Sequence, residues 1–277
     1  MASDELHSSE LAVSAWPEWE WFDSLDRLLG ETRSKAQESE SEHLGALFPF
    51  LDAIDDSLGS LRILVHELKL RDAYVIARVV YETSVNACFL LTEPETLSVR
   101  ASTHAKQKAL RSLVRAIELA GNQIFEFKPQ GVEELLGDPK HQEWLREFTS
   151  KSGREITSWT PENVQQRLET AYVKFGHEAT RGLAFGLLIY RHASEIAHGT
   201  LFGTLFSWGA MEPGYPLSSP SDIGKFRRTE LRHLLKLVSF SLESLIRIVA
   251  STLEAPEVSV AARKARADYY QKRAADA

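Results

Sequence analysis

The chain has 277 residues, of which 43% are hydrophobic and 26% are charged, and its formal net charge is -7. This composition is typical of a folded globular protein and suffices for one large core or two small ones. The negative charge argues against a surface that coats nucleic acid without preference, because such binding must neutralise many phosphates. Cys88 is the single cysteine, which excludes a disulfide framework and a zinc site built on paired cysteines.

We expect neither a secretory signal nor a membrane span. The first ten residues, MASDELHSSE, are acidic and polar, whereas a secretory signal begins with basic residues and continues with an apolar run. No apolar run approaches the roughly 20 residues that a membrane-spanning helix needs. The expected location is therefore the cytoplasm, with no membrane partner.

Apolar residues recur at helical spacing from Trp16 to Leu70. A first helix is expected to end at Gly30, since glycine is common just past a helix end. Residues 31–42 are charged and rich in serine, which fits either a solvated helix or a mobile link. The helical stripe resumes at Leu44.

The middle of the chain contains one strongly apolar helix and then weaker patterns. Residues 70–91 are apolar almost all round, which predicts a central helix buried on most sides. A further helix is expected over residues 97–120, and short helices and turns over residues 121–159. Because no segment alternates convincingly with a period of two, we expect no sheet.

The last third of the chain begins with a capping signature at Thr160, which opens a short helix. A second central helix is expected over residues 178–201. Residues 202–226 are rich in Gly, Pro and Ser and are expected to form a lid or a mobile loop. A helix over residues 227–253 and a charged tail complete the chain.

These elements predict an all-α fold. We expect a helical extension with a charged link over residues 1–42, and a helical bundle over residues 43–254. A charged helix or tail is expected over residues 255–277.

Polar residues interrupt both central helices. In the second helix, Arg191, Ser194, Glu195 and His198 stand at offsets 0, 3, 4 and 7, which places them on one helix face. We expect this face to be buried, where charged side chains are costly unless they are paired or used. The first central helix carries Arg78 and Glu82, four residues apart.

A purely structural interpretation of these residues is available. Arg78 with Glu82, and Arg191 with Glu195, could cross-pair between antiparallel helices as a buried network of four charges. Such a network needs neither Ser194 nor His198. The two additional residues favour a functional interpretation.

The segment from Arg191 to Gly199 resembles the HEPN superfamily (higher eukaryotes and prokaryotes nucleotide-binding). Its members carry an Arg, four to six intervening residues and a His, and here Arg191 and His198 enclose six residues. The residue after the family's arginine is commonly Asn, Asp or His, and this chain has His192. Where toxins silenced by a nucleotidyltransferase carry Tyr, two residues past the motif histidine, this chain has Thr200.

The longer segment from Leu44 to Leu253 resembles an uncharacterised bacterial branch of the superfamily, in its pattern of residues more than in their identity. It implies a helical bundle of the HEPN type and metal-independent cleavage of RNA, in which a ribose 2′-hydroxyl attacks the adjacent phosphate. It also implies a homodimer with a composite cleft and a role as a bacterial toxin or anti-phage effector, with an inhibitory or sensor protein as a possible partner. The catalytic residues implied are Arg191, His198 and Glu82, supported by Arg78, His192, Ser194 and Glu195.

No metal or cofactor is expected, because the sequence has no Walker loop, no glycine-rich dinucleotide fingerprint and no His-Glu-x-x-His motif. Two other functions stay open at this point. One is a catalytically silent HEPN-like module that binds a nucleotide or a partner protein. The other is a structural helical protein with a buried ion network.

Overall fold

A computed structural model describes residues 12–39, 41–209 and 219–275. The acidic amino-terminal decapeptide and the middle of the predicted loop, residues 210–218, lie outside these ranges. The described chain is mostly helical, which confirms the predicted all-α class.

The helices are α1 (Pro17–Glu38), α2 (Glu42–Gly45), α3 (Phe48–His66), α4 (Leu70–Leu90), α5 (Pro94–Ser112), α6 (Val132–Gly137), α7 (Pro139–Glu147), α8 (Val164–Phe175), α9 (His177–Ala197), α10 (Leu201–Leu205), α11 (Pro220–Thr252) and α12 (Pro256–Ala275). Two strands, β1 (Arg115–Leu119) and β2 (Asn122–Phe127), form an antiparallel hairpin. Short 3-10 turns cover Val13–Ala15 and Phe206–Trp208.

The chain folds into two compact units. Unit 1 contains the described parts of residues 1–92 and 164–277, and unit 2 contains residues 93–163. This division differs from the three segments expected from the sequence. In unit 1 the helix α1 packs against α11 and α12, so the first and last helices belong to the body of the bundle.

A buried carboxylate explains how the two ends of the chain meet in unit 1. Glu18 of α1 is buried and accepts a hydrogen bond from Arg232 Nε at 2.9 Å and from the Tyr269 hydroxyl at 3.3 Å. Beside them the ring of Trp21 stacks on that of Tyr269, with centroids 4.7 Å apart. Because a charge with hydrogen-bond partners is tolerated in a core, these contacts stabilise the docking of α1.

The helices α4, α9 and α11 form the centre of unit 1, and two glycines of α9 allow their close approach. A Cβ added at Gly182 would lie 2.0 Å from the Phe240 carbonyl oxygen, and one at Gly186 would lie 2.2 Å from the ring of Tyr81. The Gly182 amide also donates to Ser244 Oγ at 3.0 Å. Small residues at these positions therefore set the separation of the helices that carry the predicted site.

Several predicted boundaries were wrong. Helix α1 continues through Gly30 to Glu38, so most of the charged stretch is a helix. Helix α9 ends at Ala197, and the predicted loop is interrupted by α10. The next long helix begins at Pro220. Ser219 caps it, because its side chain accepts a hydrogen bond from the Asp222 amide. The Ser- and Pro-rich composition of this segment concealed that capping signal.

The expectation of no sheet was also wrong, because unit 2 contains the β1–β2 hairpin. Its strands are joined at Ala120 and Gly121, which have φ values of +50° and +79°, as a tight hairpin turn requires. Every residue of both strands is exposed, so no buried face imposed an alternating pattern. Helix α5 consequently ends at Ser112, and Arg115 lies in a strand rather than on a helix face.

Candidate functional site

The predicted motif occupies the last two turns of α9 and the residue that follows it. His198 is the C-terminal cap, and Gly199 adopts a left-handed conformation with φ of +63°. The Gly199 amide donates to the Ile196 carbonyl at 3.1 Å, and the Thr200 amide donates to the Glu195 carbonyl at 3.3 Å. These bonds close the helix in the way that favours glycine at this position, and they fix the backbone of His198.

Thr200 begins the next element. Its hydroxyl oxygen accepts a hydrogen bond from the Gly203 amide at 3.1 Å and so caps α10. A Cβ at Gly203 would lie 2.4 Å from the Glu195 carbonyl oxygen, so α10 contacts the end of α9 closely. His198 is therefore held between two helices whose relative position is set by short contacts.

The face that carries the motif is exposed, contrary to the prediction of a buried one. Arg191, Glu195 and His198 are exposed and Ser194 is half-buried. The core side of this part of α9 is formed by the apolar residues Ile189, Ala193 and Ile196. Helical spacing predicted that the polar residues share a face. The neighbouring stripe of Ile189, Ala193 and Ile196 determines that the opposite side of the helix turns inward.

The cross-paired network of four charges does not form. Arg78 Nε donates to Glu82 Oε1 at 2.7 Å within α4, with side chains 21% and 33% exposed. Among the described residues Arg191 forms no ion pair with Glu195 or with the α4 pair. A structural ion network thus accounts for Arg78 and Glu82 but leaves Arg191 unused.

Glu82 lies too far along the bundle to act on His198 of the same chain. The guanidinium of Arg78 covers the ring of Tyr190, and Tyr81 packs at Gly186, so α4 and α9 are antiparallel. Glu82 is consequently near the level of Gly186, twelve residues or roughly 18 Å along the axis from His198. Its predicted catalytic role is corrected to that of a partner of Arg78.

His192 points away from the Arg191–His198 face, because neighbouring helical residues differ by about 100° in direction. Its ring is half-buried, with centroids 6.2 Å from Tyr74 and 5.6 Å from Phe206. Burial lowers the pKa of His192, although the nearby Glu230 carboxylate acts in the opposite direction. The structure therefore separates His192 from the residues with which it was grouped.

Sequence reasoning missed two polar residues beside the motif helix, Asn86 and Arg167. The guanidinium carbon of Arg78 lies 4.4 Å from the centroid of the Tyr190 ring, and Arg167 Nη1 donates to Asn86 Oδ1 at 2.5 Å. Arg78, Glu82 and Asn86 recur every four residues and form one polar line on α4. That spacing was visible in the sequence, whereas the contacts with Tyr190 and Arg167 depend on how the helices pack.

Exposed apolar side chains border the motif at both ends. Leu188 precedes Arg191 by one turn and is 54% exposed, and Leu201 follows His198 and is 74% exposed. Phe202 is also exposed. The Arg191–His198 face is thus bordered by exposed apolar side chains at both ends.

The described part of the chain offers neither a metal site nor a membrane-spanning helix. No three of their His, Cys, Asp and Glu side chains are grouped so that they could hold a metal ion. Within the same ranges no helix is long and apolar enough to cross a membrane. Cys88 is a buried free thiol, and burial raises its pKa, so it is not an activated nucleophile.

The chain belongs to a family of unknown function, DUF5677, whose family model matches residues 47–212. This match includes the whole motif helix, the helix α4 and all of unit 2. No curated protein and no solved structure matches the chain.

Proposed function

We propose that this protein is a metal-independent endoribonuclease of the HEPN type, with Arg191 and His198 as its catalytic residues. The observation that supports this most is the exposure of Arg191, Glu195 and His198 along one face, at a helix end ordered by Gly199. An exposed arginine without an ion pair among the described residues is available to bind a phosphate. The resemblance of the Arg191–Gly199 segment to HEPN proteins supplies the reaction class.

The chemistry uses proton transfer and charge stabilisation alone. His198 accepts the proton of a ribose 2′-hydroxyl, whose oxygen attacks the adjacent phosphorus and forms a 2′,3′-cyclic phosphate. The bond to the 5′-oxygen breaks, and that oxygen takes up a proton from an imidazolium. The Arg191 guanidinium binds the phosphate oxygens and stabilises the charge that develops on them.

We further propose that the active form is a homodimer. Arg191 and His198 are seven residues apart, or roughly 10 Å along the axis of α9, so one copy reaches a single phosphate only with extended side chains. A two-fold axis that packs two copies of α9 together would bring two Arg–His pairs into one cleft. Leu188 and Leu201 would be covered in that interface, and the second histidine would supply the proton to the 5′-oxygen.

The other predicted residues take supporting roles in this scheme. Ser194 donates to a phosphate oxygen. Glu195, one turn after Arg191, orients the Arg191 guanidinium only in the RNA complex, since the two side chains form no ion pair in the described structure. Arg78 and Glu82 hold Tyr190, the residue that precedes Arg191. His192 supports the packing of α9 against Tyr74 and Phe206.

In the cell we propose that the protein acts in the cytoplasm as a bacterial toxin or anti-phage effector with RNA as its substrate. An inhibitory or sensor protein would control it. Because Thr200 caps α10 where silenced HEPN toxins carry Tyr, we do not expect control by a nucleotidyltransferase.

The decisive experiment is incubation of the purified protein with RNA in excess chelator. The wild type should cleave RNA and leave a cyclic phosphate, and Arg191→Ala and His198→Ala should each reduce the rate by roughly 100-fold or more. His177→Ala and Lys174→Ala change exposed residues of α9 and α8 and serve as matched controls. Cleavage that survives both motif substitutions would remove this site from the reaction.

Expression in a bacterial host tests the proposed cellular role. Induction of the wild type should arrest growth, and His198→Ala should restore growth at an equal protein level. Harmless expression of an enzyme that cleaves RNA in vitro would contradict the role as a toxin but not the ribonuclease activity.

A further inference from the structure

A small cavity lies where α4 begins, beside the 3-10 turn Phe206–Trp208 and the start of α11. It has a volume of about 210 Å³, and its lining includes Lys69, Arg71, Asp72, Ser207 and Arg227. All of these residues belong to unit 1. Pockets that enclose a whole small ligand are larger, from roughly 300 Å³. A cavity of this size therefore suits one phosphate-sized group of a ligand whose remainder lies outside it.

Three of the lining residues are cations, in a chain whose formal net charge is -7. Neither the Lys69 nor the Arg71 side chain has a hydrogen bond or an ion pair among the described residues. Arg227 Nε donates to the Ser207 carbonyl oxygen at 3.3 Å, and both Nη groups of Arg227 have no partner within the described ranges. The carboxylate of Asp72 is exposed and pairs with none of the three cations. The cavity thus has a net positive charge and favours an anion.

The cavity lies at the end of the bundle where α9 terminates. Helices α4 and α9 are antiparallel and meet where Arg78 covers the ring of Tyr190. Arg71 stands seven residues before Arg78, or roughly 10 Å along the axis of α4. His198 stands eight residues after Tyr190, or roughly 12 Å along α9 in the same direction. The cations and the proposed catalytic histidine are therefore at the same level of the bundle.

An exposed aromatic side chain adjoins the cavity. Trp208 is 53% exposed and directly follows Ser207, whose carbonyl oxygen accepts from Arg227. On the other side of Ser207, the ring of Phe206 is buried against Tyr74, with centroids 5.0 Å apart, so the turn is anchored to α4. An exposed tryptophan beside cations is the combination that binds single-stranded nucleic acid, since bases stack on the ring and phosphates bind the cations.

We infer that Lys69, Arg71 and Arg227 bind a backbone phosphate of single-stranded RNA and that Trp208 stacks on an adjacent base. The small volume favours a phosphate within a chain over a whole nucleotide, and the position favours a strand that continues to the Arg191–His198 face. The site holds the substrate next to the proposed catalytic residues. The choice of RNA as the ligand rests on the proposed function, whereas the positive cavity and the exposed ring do not.

Fluorescence anisotropy of the full-length protein measures binding apart from cleavage. The probe is a labelled single strand of 2′-O-methyl RNA, roughly 10 nucleotides long, which has no 2′-hydroxyl to attack the phosphate. AMP and inorganic phosphate represent the other sources of a phosphate group. The strand should bind at least roughly tenfold more tightly than either, because it offers several phosphates and bases. AMP or phosphate that binds as tightly as the strand would identify a site for free phosphate groups and overturn the assignment to RNA.

Charge and stacking are tested by separate variants. The double variant Lys69→Gln with Arg71→Gln should lower the slope of log affinity against log salt concentration by roughly 0.7, the effect of one phosphate contact on a single strand. If the double variant fails to fold, Lys69→Gln alone should still weaken binding at low salt, because Lys69 is exposed and unpaired among the described residues. Trp208→Ala should weaken binding roughly five- to hundredfold, and Trp208→Tyr should restore most of the loss.

The matched controls are Lys174→Gln and Tyr172→Ala, which change an exposed cation and a 49% exposed aromatic ring of α8. They should alter neither the salt slope nor the affinity. A loss of affinity in these controls as large as in the cavity variants would overturn the inference, because it would show that RNA binds the surface without a defined site.

The binding site and the ribonuclease can fail separately. Binding of the 2′-O-methyl strand that depends on Lys69, Arg71 and Trp208, together with no cleavage of ordinary RNA, would support the site and contradict the ribonuclease. Cleavage with an unchanged KM by the folded double variant and by Trp208→Ala would overturn the site and leave the ribonuclease intact. A salt slope that is equal in the wild type and the folded double variant would also overturn the site.

Discussion

The guanidinium carbon of Arg78 lies 4.4 Å from the centroid of the Tyr190 ring, and the Glu82 carboxylate holds the same guanidinium at 2.7 Å. This arrangement links α4 to the residue immediately before Arg191. Because the guanidinium is both stacked and ion-paired, it restricts the position of Tyr190 and, through the backbone, the start of the exposed motif face.

Replacement of Arg78 by Met should lower the free energy of unfolding by about 1–2 kcal/mol, since the stacking on Tyr190 and the partly buried pair with Glu82 are both lost. Arg27→Met is the matched control, because Arg27 is 72% exposed and its pair with Asp23 contributes little. Urea denaturation measures both. Equal losses in the two variants would contradict the proposed linkage.

Replacement by alanine should have opposite effects at two glycines, one at the contact of α9 with α11 and one on the surface of α3. Gly182→Ala should destabilise the protein by about 1–3 kcal/mol or more, because the new Cβ would lie 2.0 Å from the Phe240 carbonyl oxygen. Gly59→Ala lies within α3 with nothing within 4 Å and should stabilise it by about 0.5–1 kcal/mol. Thermal melts of both variants measure these changes, and an unchanged melting temperature for Gly182→Ala would show that α9 and α11 leave room for a side chain there.

Two glutamates of α1, the buried Glu18 and the half-exposed Glu20, should contribute very different amounts to the free energy of unfolding. Glu18→Ala should cost about 2 kcal/mol, because it leaves Arg232 and the Tyr269 hydroxyl without their acceptor. Glu20→Ala removes the partner of Lys272, a pair about half exposed, and should cost less than about 0.5 kcal/mol. A small loss for Glu18→Ala in denaturant titrations would mean that α1 docks through its apolar face alone.

The proposed homodimer predicts that charge at the apolar borders of the motif weakens association. Leu188→Asp should shift the protein toward the monomer in sedimentation experiments and reduce RNA cleavage in parallel, because an interfacial charge is costly to desolvate. Ile63→Asp changes a side chain that is 67% exposed on α3 and should leave both properties unchanged. A monomeric wild type that cleaves RNA at full rate would exclude the composite cleft.

Two histidines predict opposite effects of pH on stability. Burial lowers the pKa of His192, so the unfolded chain protonates first and this residue reduces stability as the pH falls below about 6.5. The hydrogen bond to Glu230 raises the pKa of His233, so its contribution is complete below about 6.5 and is lost as the pH rises through the folded-state value. His192→Gln should therefore flatten the acid side of a stability profile between pH 5 and 8, and His233→Gln the alkaline side, as measured by urea titrations at each pH.

Most helices were predictable from the sequence, because each has an apolar stripe that the core requires. The stripe also predicted that Arg191, Glu195 and His198 share a face. It did not predict that this face is exposed, since the positions of Ile189, Ala193 and Ile196 determine the inward side. Exposure of the face depends on which side of α9 is covered by α4 and α11, which is a property of the assembled bundle.

The remaining errors have physical causes of their own. The hairpin around Gly121 was missed because both of its strands are exposed, so no buried face demanded alternation. The position of Glu82, near Gly186 rather than His198, depends on the register between α4 and α9, a tertiary property that helical spacing does not give.

Asn86 and Arg167 are hydrogen-bonded to each other although 81 residues of sequence separate them. They stand close to the two points at which the chain leaves unit 1 and re-enters it. The intervening residues 93–163 therefore interrupt the bundle in sequence but not in packing, since α4 and α8 contact each other directly. A segment joined at two neighbouring points can change in length and composition while the helices that carry Arg191 and His198 keep their positions.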